Sequence, residues 1–196
     1  YQLLQYPLRW HLTLGAVARQ LGLDYASTAY LPGDPIALAP EVDYLKVSSF
    51  EAESGDVFPE AMATRRRVIV STGMSDGYDA ILPSGLNLHG MPWVVLHCCS
   101  AYPADLSSLN LRAIAAGLRP ALVGFSDHSR DVRVGAWAVC AGAEVIEVHV
   151  RLDDCDPANK DYAVSLTPAE LTEYVRNIRE AERALGDGVK RVQPSE

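Results

Sequence analysis

The sequence predicts an α/β fold of the (β/α)8 TIM-barrel class, with six of the eight βα units in this chain. Along the 196 residues, short apolar runs recur about every 20 to 30 positions, and each is followed by a polar or glycine-containing turn. Segments with helical spacing separate most of these runs, which is the pattern of parallel strands joined by helices. Polar side chains follow every run, and this favours a closed barrel, because an open doubly wound sheet concentrates such groups at one switch point.

Six strands are predicted from the apolar runs, over residues 25–28, 44–48, 68–71, 93–97, 121–126 and 145–150. The spacing also predicts helices over residues 8–21 and 132–141. These helices end at Gly22 and Gly142, since glycine is favoured just past a helix end. Residues 74–92 are rich in glycine and proline, so we expect a short helix or a loop there.

The last predicted helix begins with the clearest start signal in the chain. Thr167 and Glu170 form a capping box around Pro168, and proline is favoured at the first helical position. Apolar residues then recur on one face until Gly186. The pattern therefore predicts an amphipathic helix.

The composition is that of a single globular domain, with 48% hydrophobic and 21% charged residues. No apolar stretch reaches the roughly 20 residues that a membrane helix needs, and the N-terminus lacks the features of a signal peptide, so we expect a cytoplasmic protein. The formal net charge of -8 disfavours nucleic acid and acidic membranes as partners, because both attract clustered Lys and Arg. Adjacent Cys98 and Cys99 point to opposite faces of a strand and cannot bridge each other, which favours reduced thiols.

Polar side chains at the predicted strand ends are the candidate site residues. Lys46 ends an apolar strand, and a lysine inside a barrel needs an anionic partner. His128 follows one predicted strand and His149 lies near the end of the next. Neighbouring strands run about 4.8 Å apart, so two imidazoles there can share one ion. Glu147 lies two residues before His149 and points to the same side of the strand. The alternative is structural: His149 is then a buried histidine satisfied by Glu147, and His128 is a helix-capping neighbour of Asp127.

Seven motifs occur in the order and spacing of the N-terminal barrel of sialic acid synthases. They are LKVSSFE, VIVSTGMS, VLHCCSAYP, LNLRAI, GFSDHS, AEVIEVHV and SLTPAEL. The chain therefore resembles the N-acetylneuraminate, legionaminate and pseudaminate synthases and the spore-coat polysaccharide synthases, over residues 25–196. The resemblance implies that residues 1–190 are the third to eighth βα units of the barrel, preceded by two further units. It also implies that residues 191–196 begin a linker to a small antifreeze-like (SAF) domain and that the full-length protein is a homodimer.

The resemblance implies a transferase that joins phosphoenolpyruvate to the aldehyde of an N-acyl hexosamine, giving a nine-carbon 2-keto sugar acid and phosphate. The implied phosphoenolpyruvate contacts are one lysine and several hydroxyls: Thr28, Lys46, Ser49, Ser71, Ser100 and Ser126. This set suits the substrate, because a phosphate needs one fixed cation and several hydrogen-bond donors. The implied sugar contacts are Glu51, Tyr102 and Asp161, and the candidate catalytic carboxylates are Glu51, Asp127 and Glu147.

The same resemblance implies that His128 and His149 bind one divalent metal. Manganese is the metal expected, with Mg²⁺ or Co²⁺ as alternatives. Two protein ligands leave coordination positions for water and the aldehyde oxygen, which suits a Lewis-acid metal rather than a structural zinc.

The sequence departs from the family pattern mainly around the sugar. The turn over residues 156–161 is one residue longer than usual, and Tyr162 stands where histidine is common. Ser100 replaces an asparagine, and Ser48 and Phe50 stand where the family usually has glycines around the lysine strand. These changes predict a different or narrower acceptor. Six strands alone leave two unpaired edges, so we expect the segment by itself to be inactive.

Two other functions are consistent with the residues. One is a non-catalytic barrel remnant that acts as an interaction or assembly subunit. The other is a phosphoenolpyruvate aldolase for a phosphorylated aldose, which would need a further basic cluster that the strand ends do not supply.

Overall fold

The computed structural model describes residues 6–81, 93–116 and 122–192. Within these residues, six parallel strands form one sheet in which neighbours along the chain are neighbours in space. The strands are β1 (Ala26–Ala29), β2 (Tyr44–Val47), β3 (Arg67–Ser71), β4 (Trp93–Cys98), β5 (Leu122–Asp127) and β6 (Val145–Val148). All six predicted strands are confirmed to within two residues, except that position 121, the predicted start of the fifth, lies outside the described residues. The uninterrupted strand order excludes a doubly wound sheet, whose order reverses at a switch point.

The sheet curls into a half-barrel. In a flat sheet, β2 and β6 would lie about 19 Å apart, since neighbouring strands are about 4.8 Å apart. Instead, the Lys46 ammonium on β2 lies 3.4 Å from the Glu147 carboxylate on β6. The inner face of the arc is therefore a concave surface that brings distant strand ends together.

Helices cover the outer face of the sheet. The described residues contain α1 (Leu8–Gln20), α2 (Asp34–Leu38), α3 (Ser49–Glu53), α4 (Val57–Ala63), α5 (Val134–Cys140) and α6 (Pro168–Leu185), with short 3-10 helices at Tyr78–Ile81, Leu106–Ser108 and Leu111–Ala116. The helices predicted over 8–21 and 132–141 are confirmed, although α5 begins two residues later. Its start is delayed because the Asp131 carboxylate accepts the backbone N–H of Arg133 and holds a turn there. The short helix predicted within 74–92 is present at Tyr78–Ile81, and residues 82–92 lie outside the described residues.

The capping box predicted for α6 is present in both directions. The Thr167 hydroxyl accepts the backbone N–H of Glu170 at 3.3 Å, and the Glu170 carboxylate accepts the backbone N–H of Thr167 at 2.8 Å. This box satisfies two of the backbone donors that a helix start leaves free. None of the helices in the described ranges combines the length and the apolar character needed to cross a membrane.

Strand alternation decides which side chains face the inside of the arc. On β2, Leu45 and Val47 are fully buried toward the helices, and Lys46 between them points inward. On β5, Phe125 packs in the core beneath α5, whereas Ser126 faces the inner surface. The apolar outer face thus anchors the sheet, and the alternate positions carry the polar side chains of the site.

Candidate active site

A cavity of about 200 Å³ lies on the inner face, at the carboxyl ends of the strands. Residues from β2 to β6 and the loops that follow them line it: Lys46, Ser48, Ser49, Phe50, Ser71, Met74, Cys98, Ser100, Tyr102, Ser126, His128 and Glu147. Five of the six residues predicted to contact phosphoenolpyruvate are in this set, and the sixth, Thr28, is not. The cavity is small and polar, and we call it the inner cavity.

Lys46 is the cationic centre of the inner cavity. Its ammonium donates to the Ser71 hydroxyl at 2.8 Å and lies 3.4 Å from one oxygen of Glu147, while the Ser126 hydroxyl donates to the other oxygen at 2.8 Å. The Lys46 side chain is only 12% exposed, so its charge is partly removed from water and needs this compensation. The anionic partner that the sequence required is thus Glu147 on the opposite side of the arc.

The wall beside Lys46 depends on a close approach at Gly73. The Ser49 hydroxyl, at the start of α3, accepts the backbone N–H of Gly73 at 3.0 Å and lies 3.3 Å from the Cys98 thiol. A Cβ placed on Gly73 would lie 2.4 Å from the Ser100 hydroxyl and 2.6 Å from the Cys98 sulfur. Glycine is therefore required for the turn after β3 to pack against the end of β4.

His128 is held so that one ring nitrogen faces the inner cavity. Nδ1 lies 2.8 Å from the Cys99 carbonyl, which can only accept, so Nδ1 carries the proton. Nε2 then has the lone pair, and it lies 3.0 Å from the Tyr102 hydroxyl and 3.4 Å from the Ser126 hydroxyl. Burial lowers the pKa of His128, and the bond to Cys99 opposes that shift. The ring is therefore a neutral imidazole that presents an acceptor nitrogen, which is the form that ligates metals.

His149 stands beside His128 at the mouth of the arc. The two ring centroids are 5.3 Å apart, and Nδ1 of His149 lies 3.6 Å from a carboxylate oxygen of Asp161. Two imidazoles that share one ion at a bond length of about 2.1 Å have centroids no more than about 6.5 Å apart, so the spacing fits. An outer acceptor on Nδ1 of each ring is also the usual arrangement around metal-binding histidines.

One contact of the structural alternative, that between His149 and Glu147, is not observed. The carboxylate that pairs with His149 is Asp161, whereas Glu147 bonds to Lys46 and Ser126. Among the described residues, no group of three or more His, Cys, Asp or Glu side chains is arranged to hold an ion. The metal site with His128 and His149 as its ligands therefore stays a prediction.

The candidate catalytic carboxylates separate into three environments. Glu147 lines the inner cavity, whereas Glu51 lies buried on α3, where it accepts a hydrogen bond from the Ser48 hydroxyl. Asp127 is not brought to the cavity at all. It is 1% exposed, and its two oxygens accept the hydroxyl of Tyr174 on α6 and the backbone N–H of Ser129, both at 2.8 Å. Strand alternation explains this, because Asp127 follows Ser126 and therefore points to the helix side of the sheet.

A larger cavity of about 750 Å³ lies between β1 and the loop that follows β6. Its walls include Thr28 and Asp161, although Thr28 is also the register neighbour of Lys46 on the adjacent strand. Tyr102, the remaining predicted sugar contact, lines the inner cavity and stacks on His128 with ring centroids 4.2 Å apart. We call this larger space the outer cavity.

Sequence reasoning missed Tyr30 and Asn159, which also line the outer cavity. Burial raises the pKa of the Tyr30 hydroxyl, and the nearby carboxylate of Glu51 raises it further. Tyr30 lies two residues after Thr28, and this spacing was the available signal. No local pattern marked Asn159, which lies in a loop.

A model of the NeuB family matches residues 1–190 of the chain. An N,N'-diacetyllegionaminic acid synthase of Legionella pneumophila is 32% identical over 195 residues, which are 95% of this chain and 54% of that protein. Human N-acetylneuraminate-9-phosphate synthase is 34% identical over 166 residues, or 78% of this chain and 45% of that protein. The crystal structure of an N-acetylneuraminic acid (sialic acid) synthetase from Leptospira borgpetersenii, in complex with citrate, superposes with a TM-score of 0.85 and 25% identity, covering 97% of this chain and 68% of that one. The chain spans about half the length of the two relatives matched by sequence.

Proposed function

The chain belongs to the NeuB family, and on that premise we propose that it forms the catalytic barrel of a sialic-acid-type synthase, its six strands being six of the eight in a TIM barrel. The proposed reaction condenses phosphoenolpyruvate with an N-acyl hexosamine to give a nine-carbon 2-keto sugar acid and inorganic phosphate. The observation that carries the proposal is the inner cavity, where one partly buried lysine is surrounded by short hydroxyl side chains. The similarity to synthases of legionaminic acid and of N-acetylneuraminate 9-phosphate supports the class of product.

Phosphoenolpyruvate is assigned to the inner cavity. Lys46 supplies the fixed positive charge, and the hydroxyls of Ser49, Ser71, Ser100 and Ser126 supply short donors around it. Charge-assisted contacts of this kind contribute about 1.5 to 3 kcal/mol each. The phosphate and the carboxylate of the substrate thus replace Glu147 as the principal anions facing Lys46.

The reaction joins C3 of phosphoenolpyruvate to the aldehyde carbon of the acceptor, and the aldehyde oxygen takes up a proton. The oxygen of a water molecule then bonds to C2 and loses one proton. The bond from C2 to the phosphate oxygen breaks, the new hydroxyl loses its second proton as the keto group forms, and the departing phosphate takes up a proton. Glu147 is the carboxylate placed to exchange these protons, because it is the one of the three candidates that lines the inner cavity. Asp127 has no such role, since both of its oxygens are bonded on the helix side.

A divalent cation, Mn²⁺ by preference, would be held by Nε2 of His128 and by His149. When bound, it polarises the aldehyde oxygen as a Lewis acid. The Cys99 carbonyl keeps Nδ1 of His128 protonated, so Nε2 carries the lone pair, and a bound cation would replace the Tyr102 hydroxyl that now lies 3.0 Å from it. Tyr102 lies against both histidine rings and limits their rotation.

The acceptor sugar is assigned to the space between the two cavities. Tyr102 lines the inner cavity, Asp161 lines the outer one, and Asp161 lies 3.6 Å from His149. Glu51 lies near Tyr30 of the outer cavity, where its negative charge raises the pKa of the Tyr30 hydroxyl. The longer turn and Tyr162 lie in the loop after β6, and these departures from the family pattern support a changed acceptor.

The test is phosphate release from phosphoenolpyruvate by the native protein that carries these residues, with and without Mn²⁺, across a panel of N-acyl hexosamines. We expect release only when both Mn²⁺ and one N-acyl hexosamine are present, and no release with the corresponding free amino sugars. A folded protein that binds phosphoenolpyruvate but releases no phosphate with any acceptor would favour the non-catalytic alternative. Release with a phosphorylated aldose instead would favour the aldolase.

A further inference from the structure

Side chains of helix α6 bond to the end of β5 and to the loop that follows it, and this loop carries His128. Three side chains on one face of the helix, spaced four and three residues apart, reach this loop. Glu170 accepts from Arg130 at 3.2 Å, Tyr174 donates to Asp127 at 2.8 Å, and Asn177 donates to the Val132 carbonyl at 3.0 Å. The helix therefore holds the loop at both ends and in the middle.

The contact between Tyr174 and Asp127 is the buried one of the three. Both residues are 1% exposed, whereas the side chains of Arg130 and Glu170 are each 34% exposed. Burial and the adjacent carboxylate raise the pKa of the Tyr174 hydroxyl, so it remains protonated and donates. A buried carboxylate oxygen that loses its donor must move or take up water, because an unpaired buried charge is costly.

The fold makes room for this contact at Gly135 on α5. A Cβ there would lie 2.5 Å from the ring of Tyr174, so the glycine lets the tyrosine pass between α5 and α6 to reach the end of β5. The hydrogen bond from Tyr174 to Asp127 therefore requires particular residue types in two helices, a glycine at position 135 on α5 and a tyrosine at position 174 on α6.

Asp127 lies between two residues of the inner cavity, Ser126 and His128. Its second oxygen holds the backbone N–H of Ser129, so the carboxylate fixes the chain on both sides of His128. Because Asp127 and His128 are adjacent in sequence, a displacement of Asp127 moves the backbone that carries the His128 ring. Nε2 of that ring would then no longer point toward the cavity.

We propose that Tyr174 is a positioning residue of the active site, which orients the His128 imidazole by holding Asp127 from the helix side. The proposal rests on the proposed function where it concerns metal binding, because it assumes that His128 ligates a cation. The orientation of the ring and of the loop is independent of that assumption and can be measured without metal.

The first measurement uses metal-free Tyr174→Phe, with Tyr78→Phe as the matched control. Tyr78 is a half-buried tyrosine whose hydroxyl donates to a backbone carbonyl, that of Ala113 at 2.9 Å, on a different part of the barrel wall. We expect the Ser129 amide to exchange with solvent at least about 10-fold faster in Tyr174→Phe than in the control, and the ¹⁵N signals of the His128 ring to shift. Equal exchange rates and unchanged ring signals in the two variants would overturn the proposal.

The second measurement is Mn²⁺ affinity, followed by the electron paramagnetic resonance of the free ion. Loss of a group that supports a metal-binding histidine lowers affinity by about 10- to 100-fold, so we expect this in Tyr174→Phe and less than about 2-fold in Tyr78→Phe. If the unaltered protein binds no Mn²⁺, the proposed metal role fails, and the exchange and ring signals still decide on Tyr174.

A second variant tests the same proposal independently, so the outcome does not depend on whether Tyr174→Phe folds. Gly135→Ala keeps the hydroxyl and pushes the tyrosine ring away from Asp127, and it should reproduce the same changes at Ser129 and His128. A folded Gly135→Ala protein with native exchange at Ser129 and native Mn²⁺ affinity would contradict the proposal.

Discussion

The inner and outer cavities differ in how their walls are built. The inner cavity is formed by strand ends, and its polar side chains bond to one another, as in the series Ser71, Lys46, Glu147 and Ser126. The outer cavity is formed largely by α1, α2 and the loop after β6, and it is nearly four times larger. A site on neighbouring strands is set by register, whereas a site on loops changes easily with sequence. This difference gives a physical reason for the longer turn near the proposed sugar site, which lies in a loop, whereas Lys46, Ser71 and Ser126 lie on strands.

The largest expected effect distinguishes the two proposed metal ligands from His11, a histidine outside the proposed metal site. His128→Ala and His149→Ala should each lower Mn²⁺ affinity by more than about 100-fold, since loss of a ligand exceeds the loss of its supporting group. His11→Ala is the control, because His11 lines the outer cavity and bonds to Tyr25. Calorimetric titration with Mn²⁺ measures the effect, with circular dichroism to confirm the fold. An anomalous-scattering map of a manganese-soaked crystal with no peak between the two rings would refute the assignment.

The next effect compares one lysine from each cavity. Lys46→Ala should weaken phosphoenolpyruvate binding by about 10- to 150-fold, the equivalent of about 1.5 to 3 kcal/mol for one charge-assisted contact. Lys160→Ala, in the wall of the outer cavity, should change it by less than about 2-fold. Titration calorimetry with phosphoenolpyruvate alone distinguishes the two. Unchanged affinity in a folded Lys46→Ala protein would remove Lys46 from the site.

A smaller effect is expected on the binding of the acceptor than on the binding of phosphoenolpyruvate. Asp161→Ala should raise the apparent KM for the acceptor by about 10-fold, as for the loss of one hydrogen bond from a charged group. The affinity for phosphoenolpyruvate should stay the same, because Asp161 lines only the outer cavity of the two. Steady-state kinetics with each substrate varied in turn provide the measurement. Equal loss of both affinities would indicate a structural role for Asp161.

The smallest effect concerns single hydroxyls. Ser126→Ala removes the donor to Glu147 and should weaken phosphoenolpyruvate binding by about 2- to 10-fold, the range for one neutral hydrogen bond. Ser27→Ala, which removes a hydroxyl from the outer cavity, should leave that affinity unchanged. Parallel titrations of the two variants suffice, and an equal loss in both would mean that the two cavities are not separate sites.

Much of the inner cavity could be predicted from sequence because each of its residues follows an apolar run. The end of a run marks the end of a strand, and parallel strands of a barrel present these ends on one face. Lys46 and Ser126 were found in this way. Thr28 satisfied the same rule, and it lines the outer cavity although it is the register neighbour of Lys46 on β2.

Asp127 shows the limit of that reasoning. Its position after β5 made it a candidate catalytic carboxylate, equal in local pattern to its neighbours. Which face it occupies depends on strand alternation at the last residue, and its partner Tyr174 lies 47 residues away in sequence. A shift of one residue at a strand end moves a side chain from the cavity side of the sheet to the helix side. The type of residue at that position therefore does not determine its role.

The sequence by itself determined the strands, the α6 capping box and the presence of a lysine that needs an anion, because these depend on periodicity and on contacts within a few residues. The tertiary structure alone decided that the anion is Glu147, that the Cys99 carbonyl sets the His128 tautomer, and that Tyr174 fixes Asp127. Each of these contacts joins residues that are more than 25 positions apart, at distances of 2.8 to 3.4 Å. Contacts of this kind exist only once the curvature of the sheet has brought the strand ends together.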